Sequence, residues 1–573
     1  MYKYNWEKIV INSETLKTIQ EKINKLNPDL LSLDTETTGL HIIKHHAFCI
    51  SFGIANSETK QAIAFSIDID VYLKEAIKII KLLIKKVRKI IFWNAKYDLH
   101  MLYNRGINLV GNPKVTDAIL VYRLANDALV PEEGGVSLRL KDAATKSIDK
   151  NAKVFQKEIV NKRKLLLINR NTKIKSEANF KIGELNNFLK DKTNDILDLP
   201  NSIQNIMQDP NSDPDNYRNI DWKILAQYAM YDAIFTLELY DLFLPEVSKR
   251  KQEKILEVEE ELIPILWNME RVGFKLNKKY LIETKEKMKQ YILTKRNIIK
   301  NIVGYNLKVG QHKEIKTLLN ERFHLNMKSS DNDALTTALH NKNLDENAKK
   351  LISTIIELRT LEKWYSTYIC KWLEHTDLDR IYTSFNQAGA VSGRFSSDFQ
   401  QFPKEPIFMD TGEELFSTRK IVEVSGNGYD SMVFIDFSSE ELRLQALYTI
   451  LIGHPDLNLC RAFMPYQCKD ENNRIFSYKS DLKEFRKHKW YLLENPTEEW
   501  KPTDLHSKTT LTAFPELTED HPDFKHYRKM GKSTNFAKLT WQSKQTLLYF
   551  NGRGDDFYDY QMYNMRYRYW NKI

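Results

Sequence analysis

Scarcity sets the first bounds on this chain. Its 573 residues include only four cysteines, Cys49, Cys370, Cys460 and Cys468, with no C-x-x-C and no paired histidine spacing beside them. That argues against a disulfide framework or a zinc module and makes a reducing compartment, the cytoplasm, the default. Residues 1–20 are polar and charged and lack the apolar stretch of a secretory signal. No apolar run approaches the roughly 20 residues a membrane span requires. Internal repeats are not evident. The charge excess is modest, with Lys+Arg 86 against Asp+Glu 76, a net +10. Such a balance suits a protein that holds a polyanion while keeping acidic sites. What the chain does have is length, too much for one ordinary core, so at least two domains are expected.

Periodicity places the elements. Leu31-Ser-Leu33 reads as a short strand running into Asp34. Phe48–Ile54 and Gln61–Ile67 read as two more strands, and Ile90–Trp93 as another. From Leu73, apolar residues recur at Ile77, Ile80, Ile84 and Val87, a helical stripe. This alternation predicts an α/β layer around a sheet. Residues 150–219 are rich in Lys, Asn and Asp and read as a partly helical insertion. A charged helix is predicted over Val247–Leu266, followed by helix-rich sequence to Leu373.

Carboxylates are spaced to converge. Asp34 and Glu36 are two apart on a strand and so point to one side. Asp98 follows a strand in Asn94-Ala-Lys96-Tyr97-Asp98. Tyr228 and Asp232 are four apart in the helical stretch Ile224–Leu239 and share a face. Oxygen ligands of this kind suit hard divalent cations, and a two-cation site can activate water and steady the leaving oxygen in phosphodiester cleavage. Tyr228 is expected to orient the attacking water. Taken alone, each pair is ordinary turn or helix-surface chemistry; the ordered set is not.

Asp34-Thr-Glu36-Thr-Thr-Gly-Leu, Asn94-x-Lys-Tyr-Asp98 and Tyr228-x-x-x-Asp232 resemble the three motifs of the DEDDy 3′→5′ proofreading exonucleases. Asp117–Tyr122 and Ser137-Leu-Arg-Leu-Lys-Asp-Ala143 match that family's connecting segments. The resemblance implies an RNase H-like domain that hydrolyses a 3′-terminal nucleotide, with Asp34, Glu36, Asp98 and Asp232 as metal ligands, Mg2+ (or Mn2+) as the ion, and Asn94 and Lys96 beside the DNA.

The rest resembles family A DNA polymerases of the bacterial polymerase I type. Glu259–Gly273 looks like the segment that opens the polymerase region, and Leu358–Lys363 with Tyr365–Tyr368 like the end of the thumb. Ser392-Gly-Arg394-Phe-Ser-Ser397 is similar to the T-G-R-x-S-S signature and implies Arg394 at the primer end. Met432-Val-Phe-Ile-Asp436, read as an apolar strand, and Phe437-Ser-Ser-Glu-Glu441-Leu-Arg443 resemble motif A. That resemblance implies a metal ligand at Asp436 and a ribose 2′-OH filter at Glu441, although Ser438-x-x-Glu441 is also a capping box. Arg528, Lys532 and Phe536 fall on one helix face spanning roughly 12 Å, enough to address a triphosphate and its base. With Asn535 they match motif B, Ala537, Thr540 and Trp541 being departures from it. Asp504-Leu-His506-Ser-Lys-Thr-Thr510 resembles a further family motif that implies His506 at the triphosphate.

The resemblance implies exonuclease at 1–245, a helical thumb and linker at 246–375, the first part of a palm at 376–460 and helical fingers at 461–573 with an insertion near 465–503. The family's third palm motif, His-Asp-Glu, is not found in the residues after Phe536. Three explanations stand: a separate polypeptide that supplies the C-terminal palm, a truncated gene, or an exonuclease with a DNA-holding polymerase remnant. The first is favoured, in a phage-like setting. Primer-template DNA and dNTPs are the implied partners. A stand-alone 3′→5′ exonuclease and a non-catalytic DNA-binding protein are the alternatives.

Overall fold

The computed structural model describes residues 2–126, 136–160 and 217–451 with short interruptions, then 504–539 and a few short pieces between 459 and 492. The insertions expected at 150–219 and 465–503 lie largely outside the described residues. The chain divides into two compact units, 1–431 and 432–573. Among the described residues no helix is long and apolar enough to cross a membrane.

The first unit is built on a six-stranded sheet in the order β1-β4-β3-β2-β5-β6. Its strands are β1 (Asn5–Val10), β2 (Leu30–Thr37), β3 (Ala47–Ala55), β4 (Gln61–Asp68), β5 (Lys89–Phe92) and β6 (Val115–Asp117). β2, β3 and β4 pair antiparallel, while β1 runs parallel to β4 and β5 and β6 run parallel to β2. β3 is buried at every position. Its unbroken apolar and small-residue run, without alternation, is the pattern of a strand covered on both faces.

One cover includes α1 (Thr15–Leu26) and α2 (Ile69–Lys86), packed in one core with Phe52, Phe65, Ile67 and Phe92. The other is the long helix α6 (Trp222–Lys249). Between β5 and α6 come α3 (Ala95–Tyr103), α4 (Ala118–Ala125) and α5 (Leu140–Ser147). Under α6 the sheet presents small residues. Ser32 Oγ donates to the Ala233 carbonyl at 2.7 Å and Ser66 Oγ to the Ala226 carbonyl at 3.1 Å. A Cβ at Gly53 would lie 2.4 Å from Ser32 Oγ and 3.1 Å from the Ala233 carbonyl oxygen. Serine hydroxyls and a glycine therefore let the α6 backbone sit close on the sheet, which fixes where its side chains project.

The charged helix expected over Val247–Leu266 is two helices. α6 ends at Lys249, Lys251 adopts a left-handed φ of 57°, and α7 (Glu253–Val272) begins beyond it. Leu256, Ile263 and Trp267 of α7 belong to the sheet core, which thus extends past the boundary expected at 245. A second core follows, made by α8 (Lys278–Val303), α9 (His312–Phe323), α10 (Asn332–Leu339) and α11 (Glu346–Trp364). Short strands close it: β7 (Phe274–Leu276), β8 (Arg380–Ile381) and β11 (Val422–Glu423) form one sheet, β9 (Ile407–Phe408) and β10 (Glu414–Phe416) another.

The second unit contains α12 (Glu440–Leu451), α13 (Leu505–Ala513) and α14 (Phe524–Leu539), with a three-stranded antiparallel sheet of β12 (Gln467–Asp470), β13 (Ile475–Ser477) and β14 (Trp490–Leu492). The apolar strand expected over Met432–Asp436 is not formed by the described residues there. Val433, Ile435 and Phe437 are 78%, 88% and 77% exposed. A strand needs a hydrogen-bonding neighbour and a face to bury, and among the described residues this segment has no partner strand.

Candidate active site

Three local rules aim the acidic residues of the first unit. Asp34 and Glu36 lie two apart on β2 and share its face. Asp232 and Tyr228 lie one turn apart on α6. Asp98 is in the first turn of α3, whose start is set by Asp117. The Asp117 carboxylate accepts from the Asn94 and Ala95 backbone N–H groups at 2.9 and 2.7 Å and from Ile119 N–H at 3.0 Å, capping α4 as well. Asn94 takes a left-handed φ of 71° to make that turn. Thr35 Oγ1 then donates to Asp98 Oδ1 at 2.6 Å and ties α3 to β2.

Carboxylate oxygens of Asp34, Glu36 and Asp232 all lie within 4.8 Å of one another. Asp98 adjoins them closely enough for the Asp34 charge to act on it. At such range two like charges repel by roughly 3 kcal/mol or more at an effective dielectric of about 20. Burial, with this repulsion added, raises the acids. Asp34 is pushed up to about 7, chiefly by desolvation and against the pull of Lys141. Glu36 and Asp98 are raised well above the usual carboxylate range, first by burial and then by the charge on Asp34. Three hard oxygen donors crowded in this way, with Asp98 near them, are relieved by divalent cations, and the donor set fits them. In the families matched below, divalent metals are the general rule.

One cation is already in the cluster. Lys141 of α5 pairs with Asp232 Oδ1, and both side chains are buried. Its ammonium lies 4.5 Å from the centre of the Tyr228 ring. Burial lowers its pKa to about 8, against the opposing pull of Asp34 and Glu36. Ala143 and Ala144 hold α5 against Met230, Ile234 and Phe235 of α6, which keeps Lys141 over Asp232. Sequence reasoning took this stretch only as a connecting segment. A single lysine among 86 Lys+Arg carries no signal of burial.

Of the residues expected at DNA, Lys96 has other partners. Lys96 is 7% exposed. It donates to the Phe385 carbonyl at 2.5 Å and pairs with Glu270 at 3.2 Å. Asn94 serves as the left-handed cap of α3. Arg394 is exposed on the loop after Gly393. The segment leading to that loop is strapped to the sheet domain: Arg123 donates to the Ala390 carbonyl at 2.7 Å, and Gln387 to Glu259 Oε2 at 2.6 Å.

In the second unit Asp504 caps α13 and also binds Arg528 of α14 at 2.7 Å. Gly531 permits the crossing, since a Cβ there would sit 2.3 Å from Thr510 Oγ1 and 2.9 Å from the His506 carbonyl. His506 is buried; desolvation lowers its pKa, and Arg528, Lys532 and Glu441 all act on it electrostatically. Those four residues are therefore brought together. Asp436 is exposed. Phe536 lies on α14 two turns beyond Arg528, its side chain outside the described residues.

Comparison with known proteins matches these parts in the same order. A family model described as 3'-5' exonuclease covers residues 8–172, and one described as DNA polymerase family A covers 278–547. DNA polymerase I of Bacillus caldotenax is 24% identical over 322 residues, covering 55% of this chain and 31% of that protein. DNA polymerase I of Geobacillus stearothermophilus is 25% identical over 317 residues, with 55% and 31% covered. That of Helicobacter pylori strain 26695 is 27% identical over 209 residues, with 36% and 22% covered. The chain thus spans about a third or less of the length of these relatives. A solved structure described as the POL domain of Pol1 from M. smegmatis in complex with DNA primer-template and dNTP superposes with a TM-score of 0.59 at 16% identity, covering 98% of this chain and 76% of that one. That likeness establishes the shared fold.

Proposed function

We propose, from the premise that this chain is a DNA polymerase I-like member of family A with a 3′-5′ exonuclease domain, that its first unit trims the 3′ end of DNA by hydrolysis. The observation that carries this is the convergence of Asp34, Glu36 and Asp232, with Asp98 beside them and Tyr228 one turn from Asp232. These carboxylates would hold Mg2+. Bound divalent cations supply an acidified water and neutralise charge at the leaving oxygen. The Tyr228 hydroxyl orients the attacking water in line with the scissile P–O3′ bond. The 3′ oxygen leaves, and a nucleoside monophosphate is released. A 3′-labelled primer with Mg2+ tests this: Asp34→Ala abolishes trimming, and retained trimming by that variant would mean the site is misassigned.

For the remainder we propose template-directed nucleotidyl transfer, with 376–460 as palm and 461–573 as fingers. Arg528 and Lys532 neutralise the triphosphate, joined by His506; Asp504 holds the Arg528 guanidinium in place beforehand. Phe536 stacks on the incoming base, Glu441 excludes a ribose 2′-OH, Asp436 ligates metal and Arg394 contacts the primer end. Primer extension by this chain alone, and with a separately supplied palm polypeptide carrying His-Asp-Glu, tests this half. Failure to extend in both settings by folded protein that still trims would favour the stand-alone exonuclease.

A further inference from the structure

We propose that Lys141 is an internal counter-ion of the carboxylate cluster: its ammonium occupies a cation position against Asp232, yields it when a divalent cation binds, and so sets the ion concentration at which the site loads. This rests on the reading of the cluster as the exonuclease metal site.

The geometry leaves the ammonium few other purposes. The Lys141 and Asp232 side chains are 7% and 9% exposed, so their contact is screened little by water. The carboxylate oxygen that Lys141 touches, Asp232 Oδ1, belongs to the residue that converges with Asp34 and Glu36. An ammonium and a divalent ion on that one oxygen repel each other and compete for the same lone pairs, so the two states exclude each other. The lysine also has somewhere to go. Its flexible four-carbon stem lets the head swing, and in its position on Asp232 the ammonium is already flanked by two aromatic faces it can stay against when it leaves the carboxylate, Tyr228 at 4.5 Å and Phe235 at 5.2 Å from ring centre. Either face can hold a displaced cation.

The ion's apparent affinity is its intrinsic affinity reduced by the fraction of protein whose Asp232 is free. Removing the ammonium while keeping the stem's length and apolar packing removes that reduction. A lysine that merely props α5 gives the opposite expectation, because its loss would loosen the cluster and weaken ion binding.

Full-chain protein carrying Asp436→Asn, to silence the metal ligand proposed in the second unit, is titrated with Mn2+ alone, without DNA, and free ion is read by electron paramagnetic resonance. Lys141→Met is expected to tighten binding about tenfold, equivalent to about 1.4 kcal/mol. It is also expected to lower the melting temperature in EDTA and to lose most of that deficit at saturating Mn2+. Unchanged or weaker Mn2+ binding overturns the proposal. In wild-type protein, lysine acylation mapped by mass spectrometry gives a readout independent of the variant's folding: Lys141 gains reactivity on Mn2+ loading, and unchanged or lower reactivity counts against its displacement. The Asp34→Ala/Asp232→Ala double variant separates the two ideas. Its retention of wild-type Mn2+ binding would sink the metal-site reading itself, whereas its loss of binding beside an unaffected Lys141→Met sinks only the role of the lysine.

Discussion

Truncating Glu270 to alanine tests what binds the sheet domain to the chain that follows it. Glu270 is 3% exposed. Its carboxylate accepts from Phe385 N–H at 2.8 Å, faces Lys96 Nζ at 3.2 Å and meets His100 Nε2 at 3.0 Å. His100 in turn stacks on Trp267 at 5.0 Å between ring centres, and burial holds its pKa below the ordinary value despite the carboxylate. Removing one member of a buried charged pair costs about 3–5 kcal/mol, because the other charge is left uncompensated. Lys96 would keep its bond to the Phe385 carbonyl, which places the expected loss near the lower end, about 3 kcal/mol. Urea unfolding followed by tryptophan fluorescence measures it. Lys96→Met and Glu270→Leu made together should cost less than the sum of the two, with a coupling of about 1–2 kcal/mol; recovery is partial since Phe385 N–H and His100 remain unpaired. A Glu270→Ala loss under about 1 kcal/mol, or a strictly additive cycle, would refute this account. The same Lys96→Met protein addresses the expectation that Lys96 lies at DNA. A lysine that neutralises a phosphate lowers the salt slope of DNA binding by about one when it is removed, whereas the ion pair with Glu270 predicts an unchanged slope.

Three further outcomes follow from the site. Asp34 is raised to about 7, so below that pH a cation must displace a proton, and Mg2+-dependent trimming should climb from pH 5.5 through 7 and level off above; a flat profile would contradict it. Because this carboxyl's folded pKa lies above its unfolded one, the metal-free protein should lose stability as pH rises from about 4 to 7, a loss that excess Mg2+ removes. Gly53→Val places side-chain atoms against Ser32 and the Ala233 carbonyl, an overpacking of about 1–3 kcal/mol. Since the strain pushes on α6, trimming should slow along with the drop in melting temperature, and an unslowed reaction would mean that the close seat of α6 on Gly53 does not set the position of Asp232.

The parts of the site that sequence made legible are those governed by short-range geometry. A strand's two-residue period put Asp34 and Glu36 on one side, and a helical turn put Tyr228 with Asp232, whatever the rest of the chain did. β3 and β4 were legible for the same reason, the structure extending each by only a residue or two. β1 was not. It pairs parallel with β4 at the sheet edge, and Asn5–Val10, half of it exposed and none of it fully buried, carries no apolar alternation to mark it. Met432–Asp436 failed in the opposite direction, since an apolar run is a strand only when something pairs with it. Ser32, Glu270, Ser66 and Lys141 form a third class. Their partners Ala233, His100, Ala226 and Asp232 are 201, 170, 160 and 91 positions away, so no local pattern distinguishes them from surface residues. Short-range periodicity says which way a side chain points; only the packed fold says what it meets. Direction alone pairs Asp34 with Glu36 and Tyr228 with Asp232, and the ordered set of motifs joins those pairs with Asp98 into one candidate site. Lys141, which neutralises these acids, is defined wholly by what it meets, and that is why a motif-level account of the site contains every anion and omits the cation.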